Sequence, residues 1–126
     1  MTIVTIQDQP VRVTKTKTRE YLKKQLGSNI AWAKKALILI SDNQTDDEMR
    51  NESTSDLNGI GFTGTDAQLL TSFAKQLMQR GSLSPKQMQL TLKKMPKYWN
   101  QILSVSNLET LNNNVAKYIL REQNIV

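Results

Sequence analysis

The sequence predicts a single α+β domain that is mainly α-helical, with about five helices and a short N-terminal β-hairpin. β-branched residues are concentrated at the start, apolar residues then recur at helical spacing, and Gly, Pro or Ser/Thr mark the helix ends. A length of 126 residues suits one domain with a modest core. We divide it into a hairpin with a basic arm (residues 1–17) and a helical body (residues 18–126) containing an acidic loop (residues 42–58).

Two short β-branched segments predict the hairpin. They cover Thr2–Ile6 and residues 11–14, and a QDQP turn separates them. Pro10 should lie in that turn or at a strand start, because proline cannot donate to a ladder. A helix over residues 18–26 follows, and Gly27 is expected to end it.

The second helix is predicted over residues 30–41, with Ser28 or Asn29 as its N-cap. It is apolar on nearly every side, which indicates a buried central helix. The TDDE sequence at residues 45–48 has capping-box spacing and predicts the start of a further short helix. Residues 51–58 are small and polar, and we expect a mobile loop there.

Three cap signals organise the second half: TDAQ at residues 65–68, SPKQ at residues 84–87 and SNLE at residues 106–109. Gly81 should end the first of these helices, and Pro96 should break the second. The helices that begin at Ile30, Asp66 and Leu108 are expected to form the core. The side chains predicted to face inward are Trp32, Leu37, Phe73, Leu77, Leu108, Leu111, Val115 and Ile119.

Composition narrows the possible chemistry. The chain has no Cys and no His, which removes thiol catalysis, classical zinc sites and histidine-based proton transfer. Acidic residues cluster only at residues 46–48, in a segment expected to be flexible, so we predict neither a metal site nor a catalytic carboxylate pair. We expect no enzyme activity, no cofactor, no membrane segment and a cytoplasmic location in a bacterial host.

A G-x-G-x-x-G pattern runs from Gly59 to Gly64. A dinucleotide site also needs a preceding strand and an acid about twenty residues later, and the sequence offers neither. We interpret the segment as a tight loop in which glycines adopt positive φ and Phe62 packs on the core.

The net charge of +6 is distributed unevenly. Residues 1–41 hold eight Lys/Arg and two acids, residues 42–66 hold one Arg and seven acids, and residues 67–126 again hold eight Lys/Arg and two acids. Two basic lobes flanking an acidic segment indicate a polyanionic partner, with ordinary solvated faces as the alternative.

The candidate nucleic-acid contacts come from both basic lobes. Lys15 and Lys17 are expected on one side of an edge strand, where they could track a phosphate backbone or only guard the strand edge. Cations interleaved with Tyr98 and Trp99 suit base stacking, although one of these two rings must face the core. The full candidate set is Arg12, Lys15, Lys17, Arg19, Lys23, Lys24, Lys86, Lys93, Lys94, Lys97, Tyr98 and Trp99.

One set of motifs resembles a segment of small bacteriophage- and plasmid-encoded proteins, which also occurs at the head of some mobile-element helicase-like proteins. The shared residues are NGIGF at 58–62, Asp66, SFA at 72–74, LSPKQ at 83–87, Lys97-Tyr98 and Gln101, with upstream likeness in residues 21–26, 32–37 and 44–45. The resemblance implies a mobile-element setting close to DNA handling, and it carries no catalytic residue across.

These features lead to two functional hypotheses. The first is a non-enzymatic nucleic-acid-binding accessory protein of a phage or other mobile element, with DNA preferred to RNA as the partner. The second is an inhibitor of a host defence complex, anti-CRISPR or anti-restriction, that acts by protein–protein binding.

Overall fold

The computed structural model describes residues 2–50 and 61–124, and the side chains of residues 2–43 and 61–123. It confirms the α+β, mainly α fold with an N-terminal hairpin. The predicted loop at residues 51–58 lies outside the described residues. In chain order the elements are β1 (Thr2–Ile6), β2 (Gln9–Val13), α1 (Lys15–Ser28), α2 (Ile30–Arg50), α3 (Asp66–Arg80), α4 (Pro85–Lys94), a 3₁₀ helix (Met95–Tyr98), α5 (Trp99–Val105) and α6 (Leu108–Asn124).

The hairpin is antiparallel, with Val4 opposite Val11. Its turn residues Gln7 and Asp8 have φ values of 50° and 65°, as the tight two-residue turn between twisted strands requires. Pro10 lies near the start of β2, where the sequence placed it. The buried Val11 and the rest of the ribbon pack against α6.

Helix α1 begins earlier and ends later than predicted. The Thr14 hydroxyl caps it by accepting from the Lys17 N–H at 3.2 Å, so Lys15 and Lys17 lie on a helix and the edge-strand placement was wrong. Gly27 does not end the helix. A Cβ at Gly27 would lie 3.1 Å from Pro96 Cγ, so this glycine permits a close helix approach.

Helix α2 is capped by Asn29, as one of the two predictions stated, because its Oδ1 accepts from the Ala31 N–H at 3.1 Å. It continues to Arg50, so a new helix does not begin at residues 45–48. The expectation of burial on nearly every side was wrong, because Ile30 is exposed and Trp32 is half-buried. Helix α1 also lies at the centre of the fold, because it packs against α2, α4, α5, α6 and the 3₁₀ helix.

The predicted SPKQ cap is fully formed at α4. Ser84 Oγ accepts from the Gln87 N–H at 3.2 Å, and Gln87 Oε1 accepts from the Ser84 N–H at 2.9 Å. Gly81 ends α3 in the left-handed conformation with φ 77°, as predicted. Beyond α4, the chain passes through the 3₁₀ helix at Pro96, which confirms the break.

The other two cap predictions were wrong in detail. Thr65 makes no side-chain cap at α3, where the Asp66 N–H donates to the Thr63 carbonyl at 3.1 Å. At α6 the cap is Asn107, whose Oδ1 accepts from the Thr110 N–H at 3.0 Å. Leu108 is the first residue of α6 and is exposed, so the prediction that it faces inward was wrong.

The core runs from the hairpin through all the helices. Six of the eight side chains predicted to face inward are buried: Leu37, Phe73, Leu77, Leu111, Val115 and Ile119. Helices α2 and α3 pack together as predicted, whereas α6 packs mainly on α1 and the hairpin. The residues with fully buried side chains include Leu22 and Leu26 of α1, which the sequence analysis did not place at the centre.

Candidate nucleic-acid interface

A buried carboxylate organises one of the two basic lobes. The Asp66 side chain, at the start of α3, is only 7% exposed. Lys94 Nζ lies 3.0 Å from Oδ1, Lys97 Nζ lies 2.9 Å from Oδ2, and the Tyr98 hydroxyl donates to Oδ2 at 3.0 Å. We name these four residues the Asp66 cluster. Hydrogen bonds from Lys97 and Lys94 lower the pKa of the Asp66 carboxyl to about 2, against the opposing effect of burial.

The same cluster holds the loop before α3. The Tyr98 hydroxyl accepts from the Thr63 N–H at 3.1 Å. Gln101 pairs with the backbone of Gly61, accepting from its N–H at 2.9 Å and donating to its carbonyl at 3.0 Å. The Phe62 ring meets the Tyr98 ring edge-on, with centroids 5.7 Å apart. Within the described side chains, every buried nitrogen and oxygen has a hydrogen-bond partner.

Six of the residues quoted for the resemblance lie close together in three dimensions. Gly61, Phe62, Asp66, Tyr98 and Gln101 meet around one carboxylate, together with Lys97, although up to 40 residues separate them in sequence. Gly64 has φ 55° and Phe62 is buried, as predicted for the loop; Gly59 lies outside the described residues. The role of Asp66 was not predicted from the sequence, where its one signal is that no other acid follows it until Glu109.

Four of the candidate nucleic-acid contacts are already engaged with other parts of the protein. Tyr98 is 2% exposed, so its ring is covered by protein and is not open to a nucleic-acid base. Trp99 is half-buried and packs against the core. Lys94 and Lys97 share the Asp66 carboxylate, so these three residues together carry a net charge of +1. Lys93 and Lys86 are exposed and lie on the outer side of α4.

The other basic lobe contains an exposed row on α1. Lys15, Arg19 and Lys23 are spaced four residues apart and are all exposed. None of them forms an ion pair with another side chain that the structure describes. We name these three residues the α1 row. Arg12, on β2, is exposed and equally unpaired among the described side chains.

Two further lysines of this lobe are engaged in the contact between α1 and α6. Lys17 Nζ lies 3.1 Å from Glu20 Oε2 and 3.2 Å from Glu122 Oε2, and these hydrogen bonds raise the pKa of Lys17. Lys24 Nζ lies 5.3 Å from the centroid of the Tyr118 ring. The pKa of Tyr118 is raised to about 12, mainly because the side chain is buried and next because it forms a hydrogen bond with Glu122. These lysines serve the fold.

The structure thus divides the candidate set by what each side chain already contacts. Exposed cations with neither an acidic partner nor an aromatic contact among the described residues can bind phosphate oxygens without first breaking an internal contact. They are Arg12, Lys15, Arg19, Lys23, Lys86 and Lys93.

In the described part of the chain, no three acidic side chains are grouped so that they could hold a metal ion. None of the described helices combines the length and apolar character needed to cross a bilayer.

No protein-family model, curated protein or solved structure matches this chain.

Proposed function

We propose that this chain is a non-enzymatic nucleic-acid-binding accessory protein of a phage or other mobile element, with DNA as the preferred partner. The observation that carries the proposal is the α1 row. Its three cations are exposed, share one side of a helix and have no acidic partner among the described side chains. The motif resemblance supplies the mobile-element setting.

The spacing of the α1 row suits a phosphate backbone. Residues four apart on a helix are separated by about 6 Å along the axis, so the row spans about 12 Å. A strand of B-DNA carries one phosphate per roughly 3.4 Å of helix rise, so several phosphates lie within reach of the row. Contacts of this kind supply affinity and salt dependence without sequence preference.

Fluorescence anisotropy with labelled single- and double-stranded oligonucleotides tests this function. The parent should bind at low salt, and log affinity should fall linearly with log salt. The variant Arg19→Ala/Lys23→Ala should bind at least tenfold more weakly, with a slope reduced by about two charges. The variant Lys35→Ala/Lys117→Ala removes the same charge from exposed positions on α2 and α6 and is the matched control.

Two results would contradict the proposal. One is a parent protein that binds neither oligonucleotide at low salt. The other is an equal loss of affinity in the two double variants, because this would make net charge, and not the α1 row, the determinant.

One observation favours a second candidate function, inhibition of a host defence complex by protein binding. A groove of about 570 Å³ lies between α2 and the α5–α6 junction, with Trp32, Leu39 and Ile102 in its lining. Val105 also lines it, and Leu108 nearby in the chain is 60% exposed. Exposed apolar surface of this kind is typical of protein contacts. A stoichiometric host protein retained after nuclease treatment, and lost in Val105→Asp, would support this function.

A further inference from the structure

Helices α3 and α4 are joined by a short, well-defined connection. Residues 81–84 form it, with Gly81 in the left-handed conformation and its N–H donating to the Leu77 carbonyl at 2.8 Å. The Ser84 cap then starts α4 at once. Two helices linked by three or four residues with a glycine have the connectivity of helix-turn-helix units, whose second helix enters the DNA major groove.

Helix α4 has two chemically distinct sides. Met88 and Thr91 are buried against the body of the protein, at 8% and 0% exposure. The outer side presents Lys86, Gln89, Leu90 and Lys93, all exposed and spaced at positions i, i+3, i+4 and i+7. An amide and an apolar side chain therefore lie between two lysines, within one helix of ten residues.

This side-chain set matches the edges of base pairs in the major groove. A Gln amide can pair in bidentate fashion with adenine, an apolar side chain contacts the thymine methyl group, and Lys binds guanine or phosphate. The sequence from residue 67 to residue 108 contains no acid, so α4 itself presents no carboxylate to repel DNA. The cations Lys75 and Arg80 are exposed on α3, on the other side of the connection.

Helix α4 is also held firmly in place. It packs against α1, α2 and the 3₁₀ helix. Gln76 and Gln87 exchange amide hydrogen bonds between α3 and α4, at 2.8 Å and 3.0 Å. A reading helix must keep its side chains in fixed register, and these contacts provide that register.

We propose that α4 binds in the major groove of duplex DNA, with Gln89 and Leu90 on base edges and Lys86 and Lys93 at the flanking phosphates. The proposal rests on the proposed nucleic-acid function and adds a duplex substrate and a sequence-reading element. Base stacking on a single strand would need an open aromatic ring. The large apolar side chains that are exposed among the described residues include no aromatic one, and Tyr98 is buried.

Selection from a random duplex library tests the proposal. The parent protein should enrich a short motif. Gln89→Ala should lose the preference at one or two base pairs, at least fivefold for an A·T pair, while its affinity for a non-selected duplex stays within about twofold. Gln123→Ala removes an exposed amide from α6 and is the matched control. Lys86→Ala should weaken all duplexes by a similar factor.

The outcomes separate the two proposals. A parent that binds no nucleic acid overturns both. A parent that binds DNA without sequence preference, or with a preference that Gln89→Ala leaves intact, overturns the reading role of α4 alone. Because Gln89 is exposed, the variant should melt like the parent, and a melting curve checks that its fold is retained.

Discussion

The Asp66 cluster and the α1 row both contain cations, but the cations of the cluster are paired with a buried acid and those of the row are exposed to solvent. In the cluster, two ammonium groups lie within 3.0 Å of one buried carboxylate and join the start of α3 to the end of α4 and to the 3₁₀ helix. In the row, three cations point to solvent and contact no described acid. The number of lysines in a segment therefore does not indicate a binding surface. The contact that each cation makes, with a carboxylate or with an aromatic ring, separates cations engaged within the fold from cations without a described internal partner.

Among the variants that test this comparison, Asp66→Asn is expected to change the free energy of unfolding most. The amide keeps the shape, but it leaves Lys94 and Lys97 without their counter-charge and weakens the bond from Tyr98. We expect a loss of about 2–3 kcal/mol in the free energy of unfolding, measured by urea denaturation. Asp42→Asn, at an exposed position on α2, should change stability by less than about 0.5 kcal/mol. Equal changes in the two variants would show that Asp66 contributes no more to the free energy of unfolding than an exposed carboxylate does.

The change of folding stability at acid pH should reveal the protonation of the Asp66 carboxylate. The folded state lowers the pKa of Asp66 from 3.8 to about 2, so its contribution is complete above about pH 5 and is lost as the pH falls towards 2. The contribution amounts to roughly 2 kcal/mol. The urea midpoints of parent and Asp66→Asn, measured from pH 5 to pH 2, should therefore converge at the acid end. A difference that stays constant with pH would contradict this assignment.

Adjacent lysines on α4 offer an intermediate test. Lys94→Ala removes a contact to a buried charge and should cost about 1 kcal/mol, whereas Lys93→Ala should cost less than about 0.5 kcal/mol. The effects on DNA affinity should be reversed, with the larger loss in Lys93→Ala. Urea denaturation and anisotropy on the same two proteins give both comparisons. If both variants lose stability equally, the division between engaged and free lysines fails at this position.

The smallest effect on stability is expected in the α1 row. Arg19 and Lys23 are exposed and unpaired among the described side chains, and Ala is a good helix former. The free energy of unfolding of Arg19→Ala/Lys23→Ala should stay within about 0.5 kcal/mol of the parent. A larger loss would mean that these side chains support the fold, and the row would no longer contrast with the cluster.

Local signals in the sequence predicted the fold well where one short motif determines one structure. SPKQ at residues 84–87 specified a cap, Gly81 a helix end and Pro96 a break, and each depends only on neighbouring residues. The errors occurred where a local motif was overridden by a neighbouring helix or by a contact distant in sequence. TDDE at residues 45–48 has capping-box spacing, but the preceding helix simply continues through it. Gly27 resembles a stop, but it serves a contact with Pro96, which is distant in sequence.

The candidate site was only partly predictable for the same reason. That one of Tyr98 and Trp99 must pack inward follows from helical periodicity, and Tyr98 is the buried one. The pairing of Asp66 with Lys94 and Lys97 joins residues about thirty apart, and no local pattern encodes it. Placing Lys15 and Lys17 on a strand failed because the Thr14 cap starts the helix one turn earlier than expected.

The amide pair between Gln76 and Gln87 has a consequence for how binding experiments respond to solution conditions. Neither side chain ionises, so this contact between α3 and α4 does not depend on pH and is not screened by salt. The ion pair between Lys94 and Asp66, which joins the same two helices, is the contact that responds to pH. Raising the ionic strength should therefore weaken phosphate contacts and leave the amide clasp between the two helices closed.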